Sequence, residues 1–207
     1  MLIDLYPQFL SIVIIHLFAV MSPGPDFALI IRQSLSYGRK ISIVTSIGIG
    51  TGILFHILYC VIGLGMIISK YSYIFNLIKI SGALYLVYLG YKSILSKSSL
   101  ETEENILNSN ISNVDSFFTG LITNVLNPKA TLFFLSLYTF IINEQPSIYI
   151  QAFYGLWMSI ITALWFCFLS IILTSNAIAK RVNKFANFTQ KATGFMLILI
   201  GFKLLFF

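Results

Sequence analysis

A chain of 207 residues that is 57% hydrophobic and only 10% charged cannot bury its apolar surface in a water-soluble domain. Such domains carry about 25% charged residues and leave about a third of their unfolded area exposed, so the surplus here must face lipid. The length suits a single transmembrane domain over residues 1–207, with no separate soluble domain. The net charge of +6 is not a nucleic-acid patch, because the cations fall in short segments between apolar runs, as membrane-surface anchors do.

Six runs reach the roughly 20 apolar residues that a membrane-spanning helix needs. They lie near Gln8–Ile31, Ile41–Ser69, Tyr73–Leu95, Phe117–Ile142, Ile148–Thr174 and Lys191–Phe207. The first begins after MLIDLYPQF, which lacks the basic stretch of a cleaved signal peptide, so it is expected to stay in the mature protein. Its two prolines leave a five-helix count with a displaced amino terminus as an alternative. After the third run comes the one long polar connection, residues 96–115, whose Glu101, Glu103 and Glu104 read as a solvated linker. The loops after runs one, three and five hold Arg32, Arg39, Lys40, Lys92, Lys97, Lys180, Arg181 and Lys184, against Lys70 and Lys203 on the other side. The positive-inside rule then places the basic loops in the cytoplasm and both termini outside.

The chain also resembles itself. KISGALYLVYLGYK in run three, with Lys79, Gly82, Gly90 and Lys92, matches KATGFMLILIGFK in run six, with Lys191, Gly194, Gly201 and Lys203. Run two carries Gly48, Gly52, His56 and Cys60 at i+4 steps, and run five carries Gly155, Ser159, Ala163 and Cys167 at the same steps. Run one is interrupted by Ser22, Pro23, Gly24, Pro25 and Asp26, and run four by Asn127, Pro128 and Lys129. Three spans per copy is an odd number, so the second copy enters the membrane from the opposite face. The expected fold is all-α, with two inverted three-helix repeats (about 1–95 and 116–207), helices one and four broken by proline. In transporters, such paired breaks mark the substrate site.

The breaks have a chemistry of their own. Proline lacks an N–H and clashes with the preceding turn, but it is well placed at the first position of a helix, with Asn before it as a cap. Asn127-Pro128 is such a start, and Gly24-Pro25 a weaker one. Each break leaves free N–H groups and the positive end of a half-helix inside the bilayer, where a carboxylate is a natural ligand. Aligning Pro25 with Pro128 sets Asp26 against Lys129, the only opposite charges within the apolar runs away from their ends. A zwitterion offers an ammonium to Asp26 and a carboxylate to Lys129, and protonation of Asp26 would couple release to the proton gradient. In the empty protein the two side chains are expected to pair. A fixed Asp26–Lys129 bridge, or Lys129 reaching to the surface, competes with this role.

At these residues the chain resembles a known family. SPGPDFALIIRQSLSYGRK (Ser22–Lys40), followed by GIGTG (Gly48–Gly52), resembles the amino-terminal signature of the LysE/RhtB exporters, and GLITNVLNPKATLFF (Gly120–Phe134) resembles their second signature. The resemblance covers nearly the whole chain. It implies secondary export of amino acids such as lysine, arginine, homoserine, threonine or leucine across the bacterial inner membrane. It also implies importance for Pro23, Gly24, Pro25, Asp26, Asn124, Asn127, Pro128 and Lys129, and it touches Arg32, Gly38 and Arg39, of which Arg32 and Arg39 read as cytoplasmic anchors. Many members continue with a Pro-Gln-Phe element where this chain reads SLYTFII (Ser136–Ile142). No acidic cluster beside the breaks advertises a dibasic substrate, so neutral amino acids such as threonine, homoserine or leucine are expected.

Other residues have plainer readings. Gly48, Gly52, His56, Gly155, Ser159 and Ala163 read as faces for close helix packing, and His16 as a packing residue. Two rival functions remain open: an uncoupled channel, and an intramembrane thiol carrier using Cys60 and Cys167, which needs the two thiols within disulfide reach. No spacing suggests an enzyme, a cofactor or a metal site. The oligomeric state is left open, a homo-oligomer included.

Overall fold

Helices start and stop where the chain carries proline, glycine and capping residues. The computed structural model describes residues 2–64, 72–95, 111–143 and 147–174, together with residues 191–206 apart from 193, 196, 200, 203 and 204. The acidic residues of the central linker, the cations Lys70, Lys97, Lys180, Arg181, Lys184 and Lys203, and the expected chain ends lie outside the described residues. Among the described residues every regular element is helical.

Helix α1 (Leu2–Met21) ends at the Ser22–Gly24 break. Helix α2 (Pro25–Tyr59) starts with Pro25 at its first position and is prolonged by a π-helical turn, Cys60–Leu64. Helix α3 is Ser72–Leu95. Helix α4 (Asn113–Val125) is started by Ser112, whose hydroxyl accepts from the Asp115 amide at 3.0 Å and donates to its carboxylate at 2.6 Å. After the Leu126–Asn127 break, α5 runs Pro128–Asn143, and α6 runs Ile148–Leu173. Further helical residues lie between 191 and 206.

Among the described residues two stretches are long and apolar enough to cross a membrane, Pro25–Gly63 and Ile148–Leu173, while Phe9–Met21 and Pro128–Ile141 are shorter apolar helices. The first stretch is not one rod. Ser42 Oγ donates to the Ile30 carbonyl at 3.4 Å, although twelve residues of straight helix would separate them by about 18 Å. The chain therefore folds back on itself, and the turn is Gly38, at φ 79°. Glycine suits this position because L residues with a side chain rarely adopt a positive φ, although the space around it is open. The second limb of α2, residues 39–59, has 21 residues and rises about 31 Å, enough to cross the hydrocarbon core.

That second limb is the axis of the bundle, with α4 on one side and α6 on the other. Against α4 the two helices cross in close contact: Gly48 lies on the Phe117 carbonyl, Gly120 on the Thr45 carbonyl, and Gly52 on the Asn124 side chain. Neither Gly48 nor Gly120 has room for a Cβ, so backbone packs directly on backbone. Against α6 the register runs antiparallel. Ser42 meets Ser170 (Oγ to Oγ 2.6 Å), Ser159 Oγ donates to the Gly50 carbonyl at 2.7 Å, and Gly155 packs on Ile57. Beside the Gly38 turn, the hydroxyls of Ser34, Ser42, Ser46 and Ser170 form a buried chain linking both limbs of α2 to α6.

Large apolar side chains also line the outer faces at helical spacing. Tyr73, Leu77, Ile80, Leu84, Tyr88 and Tyr91 mark α3, and Phe153, Leu156, Ile160, Leu164, Phe168 and Ile171 mark α6, all exposed. Helices apolar on both faces suit a lipid surround. Two buried clusters fill the interior. One joins α1, the second limb, α3, α5 and α6 around Phe134, Tyr138 and Met158; the other joins both limbs and α6 around Phe27, Ile49 and Phe166.

Candidate functional site

The two buried clusters meet at a cavity of about 60 Å³, on whose wall the two helix breaks come together. On the usual scale of at least 10–15 Å³ per water, it has room for about four to six waters or one small solute. The breaks contribute Ser22, Gly24 and Asp26 from the first and Asn124, Asn127 and Lys129 from the second to its polar wall. Of the nine residues expected from sequence, these six line one cavity. Pro23 contributes through its carbonyl, and Pro25 and Pro128 sit at the first positions of α2 and α5.

Each half-helix begins in the way its cap permits. Asn127 caps α5: its Oδ1 accepts from the Lys129 amide at 3.0 Å, and its carbonyl accepts from Thr131. Gly24 has no side chain to offer α2, and only its carbonyl is used, accepting from Ala28 at 2.9 Å. A Cβ on Gly24 would stand 3.3 Å from both Cδ and Nζ of Lys129, so its absence lets the lysine stem cross the break.

The two charges hold separate partners. Asp26 Oδ2 accepts from Asn124 Nδ2 at 2.8 Å and Asn127 Nδ2 at 3.3 Å. Lys129 Nζ donates to the carbonyls of Ser22 at 3.3 Å and Pro23 at 3.1 Å. The expected Asp26–Lys129 pair is therefore corrected. The ammonium lies instead at the negative end of α1, and the carboxylate in the first turn of α2, at its positive end. An ammonium has three N–H donors, so Lys129 keeps one beyond its two carbonyls. Asp26 Oδ1 and Asn124 Oδ1 are buried and have no hydrogen-bond partner among the described residues. On the cavity wall the breaks thus set one cationic donor beside a carboxylate with one unused oxygen.

Behind Asn124 stands His56. Its Nε2 donates to the Asn124 carbonyl at 3.0 Å, its Nδ1 lies 2.7 Å from Tyr59 Oη, and its ring stacks on Phe134 at 5.5 Å. Gly52 touches the Asn124 side chain itself. His56 thus adds two hydrogen bonds to its expected packing, while Gly48, Gly155, Ser159 and Ala163 lie on helix contacts away from the cavity wall. His16 packs on Phe134 and Trp157, and beyond that packing it lines the cavity and shares a 3.1 Å hydrogen bond with Thr162 on α6.

The thiol-carrier geometry is not met. Cys167 Sγ lies 4.0 Å from the Ile43 carbonyl, seventeen residues, or about 25 Å of helix, from Cys60. A disulfide requires Cα atoms within about 7 Å. Both thiols are free, and Cys60 is buried in the core. Among the described residues no group of His, Cys, Asp and Glu is placed to hold a metal.

A chain helical in every regular element of its described residues, with apolar outer faces and a polar cavity built from paired helix breaks, has the architecture of a membrane transport protein. Comparison with known proteins gives the particular family: residues 17–206 match the family model described as LysE type translocator, and the chain belongs to that family. The uncharacterized membrane protein YrhP of Bacillus subtilis (strain 168) is 31% identical over 194 residues, covering 89% of this chain and 91% of that one. The threonine efflux protein of Escherichia coli (strain K12) is 32% identical over 163 residues, covering 76% and 78%. The leucine efflux protein of Salmonella choleraesuis (strain SC-B67) is 30% identical over 168 residues, covering 78% and 75%. No solved structure matches the chain.

Proposed function

We propose that this protein is a secondary-active, proton-coupled exporter of neutral amino acids, such as threonine, homoserine or leucine, across the bacterial inner membrane. The observation that carries the reading is the pairing of unused groups at the breaks. One N–H of Lys129 awaits a carboxylate, and the unused oxygen of the Asp26 carboxylate awaits an ammonium. That arrangement complements a zwitterion. Among the described residues Asp26 and Lys129 carry the only charges on the cavity wall, so the side chain of a dibasic amino acid finds no counter-ion among them. The similarity to threonine and leucine efflux proteins supports the same substrate class.

The architecture that goes with this function is six spans in two inverted repeats. Supporting it, both breaks restart a helix on a proline, Pro25 and Pro128, and the second limb of α2 runs antiparallel to α6. The third pair behaves likewise: Gly90 packs on Gly194 and Ala83 on Gly201, so α3 and the carboxy-terminal segment also run antiparallel. Export then follows from rocking of one repeat against the other about the site. Basic loops face the cytoplasm and both termini face outward in this reading.

Release of a panel of amino acids from bacteria loaded with dipeptides tests the function. The wild-type chain, Asp26→Ala and an empty vector are compared. Faster release of neutral amino acids by the wild type alone is expected. Identical release from all three, with the protein confirmed in the membrane, would overturn the reading. Coupling has its own test: sustained export by Asp26→Asn, with unchanged dependence on the proton gradient, would rule out a coupling role for this carboxylate.

A further inference from the structure

The cavity has a second polar element that the breaks do not use. His16 on α1 and Thr162 on α6 are 2% and 1% exposed, 146 positions apart, and joined by a 3.1 Å hydrogen bond between Nε2 and Oγ1. Both line the same cavity as the breaks. The imidazole is fixed in place, edge-on to Trp157 at 5.8 Å and tilted against Phe134 at 6.4 Å. Its other nitrogen, Nδ1, is buried and has no hydrogen-bond partner among the described residues. Around this pair the wall is apolar: Ile53, Phe133, Phe134, Phe166 and Leu197.

A buried imidazole nitrogen without a partner is costly in free energy, whichever tautomer is present. If Thr162 donates to Nε2, then Nδ1 carries the proton and needs an acceptor. If Nε2 donates to Thr162, then Nδ1 is an acceptor and needs a donor. A hydroxyl group satisfies both cases, because it is donor and acceptor at once. A methyl group of the same size satisfies neither, and sites built to bond a hydroxyl reject the analogue that lacks it.

We propose that His16 and Thr162 form the side-chain subsite of the cavity and select amino acids bearing a side-chain hydroxyl over their aliphatic isosteres. The proposal rests on the exporter reading and narrows its substrate class. In it the two breaks hold the ammonium and carboxylate, common to every amino acid, and this pair reads the side chain.

Threonine and valine differ only in a hydroxyl for a methyl, so they are the probes. Release of each is measured from dipeptide-loaded cells carrying the wild-type chain, Thr162→Val, His16→Leu or His16→Gln, with membrane levels of each variant checked. The wild type is expected to prefer threonine by about tenfold or more. Thr162→Val and His16→Leu should bring the ratio towards one by losing threonine release while keeping valine release, and His16→Gln, which retains an amide, should recover part of the preference. Equal release of the two by the wild type, with both above the vector, would overturn the subsite and leave the exporter reading standing. A preference that persists in both Thr162→Val and His16→Leu, or variants present in the membrane that release neither amino acid, would also overturn it, the latter because the pair would then serve folding. Release of no amino acid by the wild type would overturn the exporter reading and this proposal with it.

Discussion

The side-chain amide of Asn124 donates to the Asp26 carboxylate at 2.8 Å, and this bond joins the two helix breaks across 98 positions of sequence. Asn124 is itself held from behind, by His56 on its carbonyl and by Gly52 against its side chain. Hydrogen bonds to a charged group contribute about 1.5–3 kcal/mol. Asn124→Leu, which keeps the volume and removes the amide, is therefore expected to lower the export rate by about tenfold to a hundredfold. Initial release rates from loaded cells, normalised to protein in the membrane, check this; an unchanged rate would show that the bond is dispensable.

Gly52 gives a test of the same contact from the other side. A Cβ there would meet Asn124 Oδ1 at 2.6 Å and Asn124 Cβ at 2.8 Å, so Gly52→Ala must push Asn124 away from Asp26. Export should fall by about tenfold, in line with loss of that bond. If the rate of Gly52→Ala matched the wild type, Asn124 would have to be adaptable in a way its burial does not suggest.

Gly24 controls Lys129. Alanine would place its Cβ at 3.3 Å from the lysine Nζ and Cδ, a contact that a flexible stem relieves with a small shift. The two γ-methyls of valine reach further, and Gly24→Val should drive the ammonium off the Ser22 and Pro23 carbonyls. Graded export, near wild type for Gly24→Ala and reduced by at least about tenfold for Gly24→Val, is the expected outcome, since each hydrogen bond from a charged group is at stake.

Ser170 contributes to architecture away from the cavity. Its hydroxyl bonds to Ser42 at 2.6 Å and Ser46 at 3.1 Å, tying α6 to the second limb next to the Gly38 turn. Polar bonds between helices in a membrane contribute on average about 0.6 kcal/mol and at most about 1.7 kcal/mol. Ser170→Ala should then lower the melting temperature in detergent by a few degrees and leave the threonine-to-valine release ratio at its wild-type value. A changed ratio would mean that this cluster communicates with the site.

What the sequence revealed of the site depended on how local each signal was. Pro25, Asn127 and Pro128 announce their breaks because a proline's missing N–H acts on its own turn, and the structure puts the two breaks on one cavity. Gly38 lies in the basic stretch between the first two runs, where a turn was expected, and its positive φ supplies it. The partners of Lys129 were not legible. Opposite charge pointed to Asp26, whereas the nearer attraction is the negative end of α1, which appears only when the break folds. The pairing of His16, legible only as a packing residue, with Thr162 was not legible either, because nothing in a chain marks two polar residues 146 positions apart as neighbours. The only available hint was the presence of a histidine in an apolar run, where ionisable residues are functional candidates by default.

The central claim, that a zwitterion sits between the two breaks, is tested most directly by counterflow of labelled threonine in proteoliposomes, comparing the wild type with Asp26→Asn and Lys129→Met. Both substitutions preserve size and remove one charge. The account predicts saturable counterflow by the wild type, reduced by at least about tenfold in each variant, as expected when a charge-assisted bond to the substrate is lost. Wild-type rate and half-saturation in Asp26→Asn and Lys129→Met would contradict it and move the substrate away from the breaks.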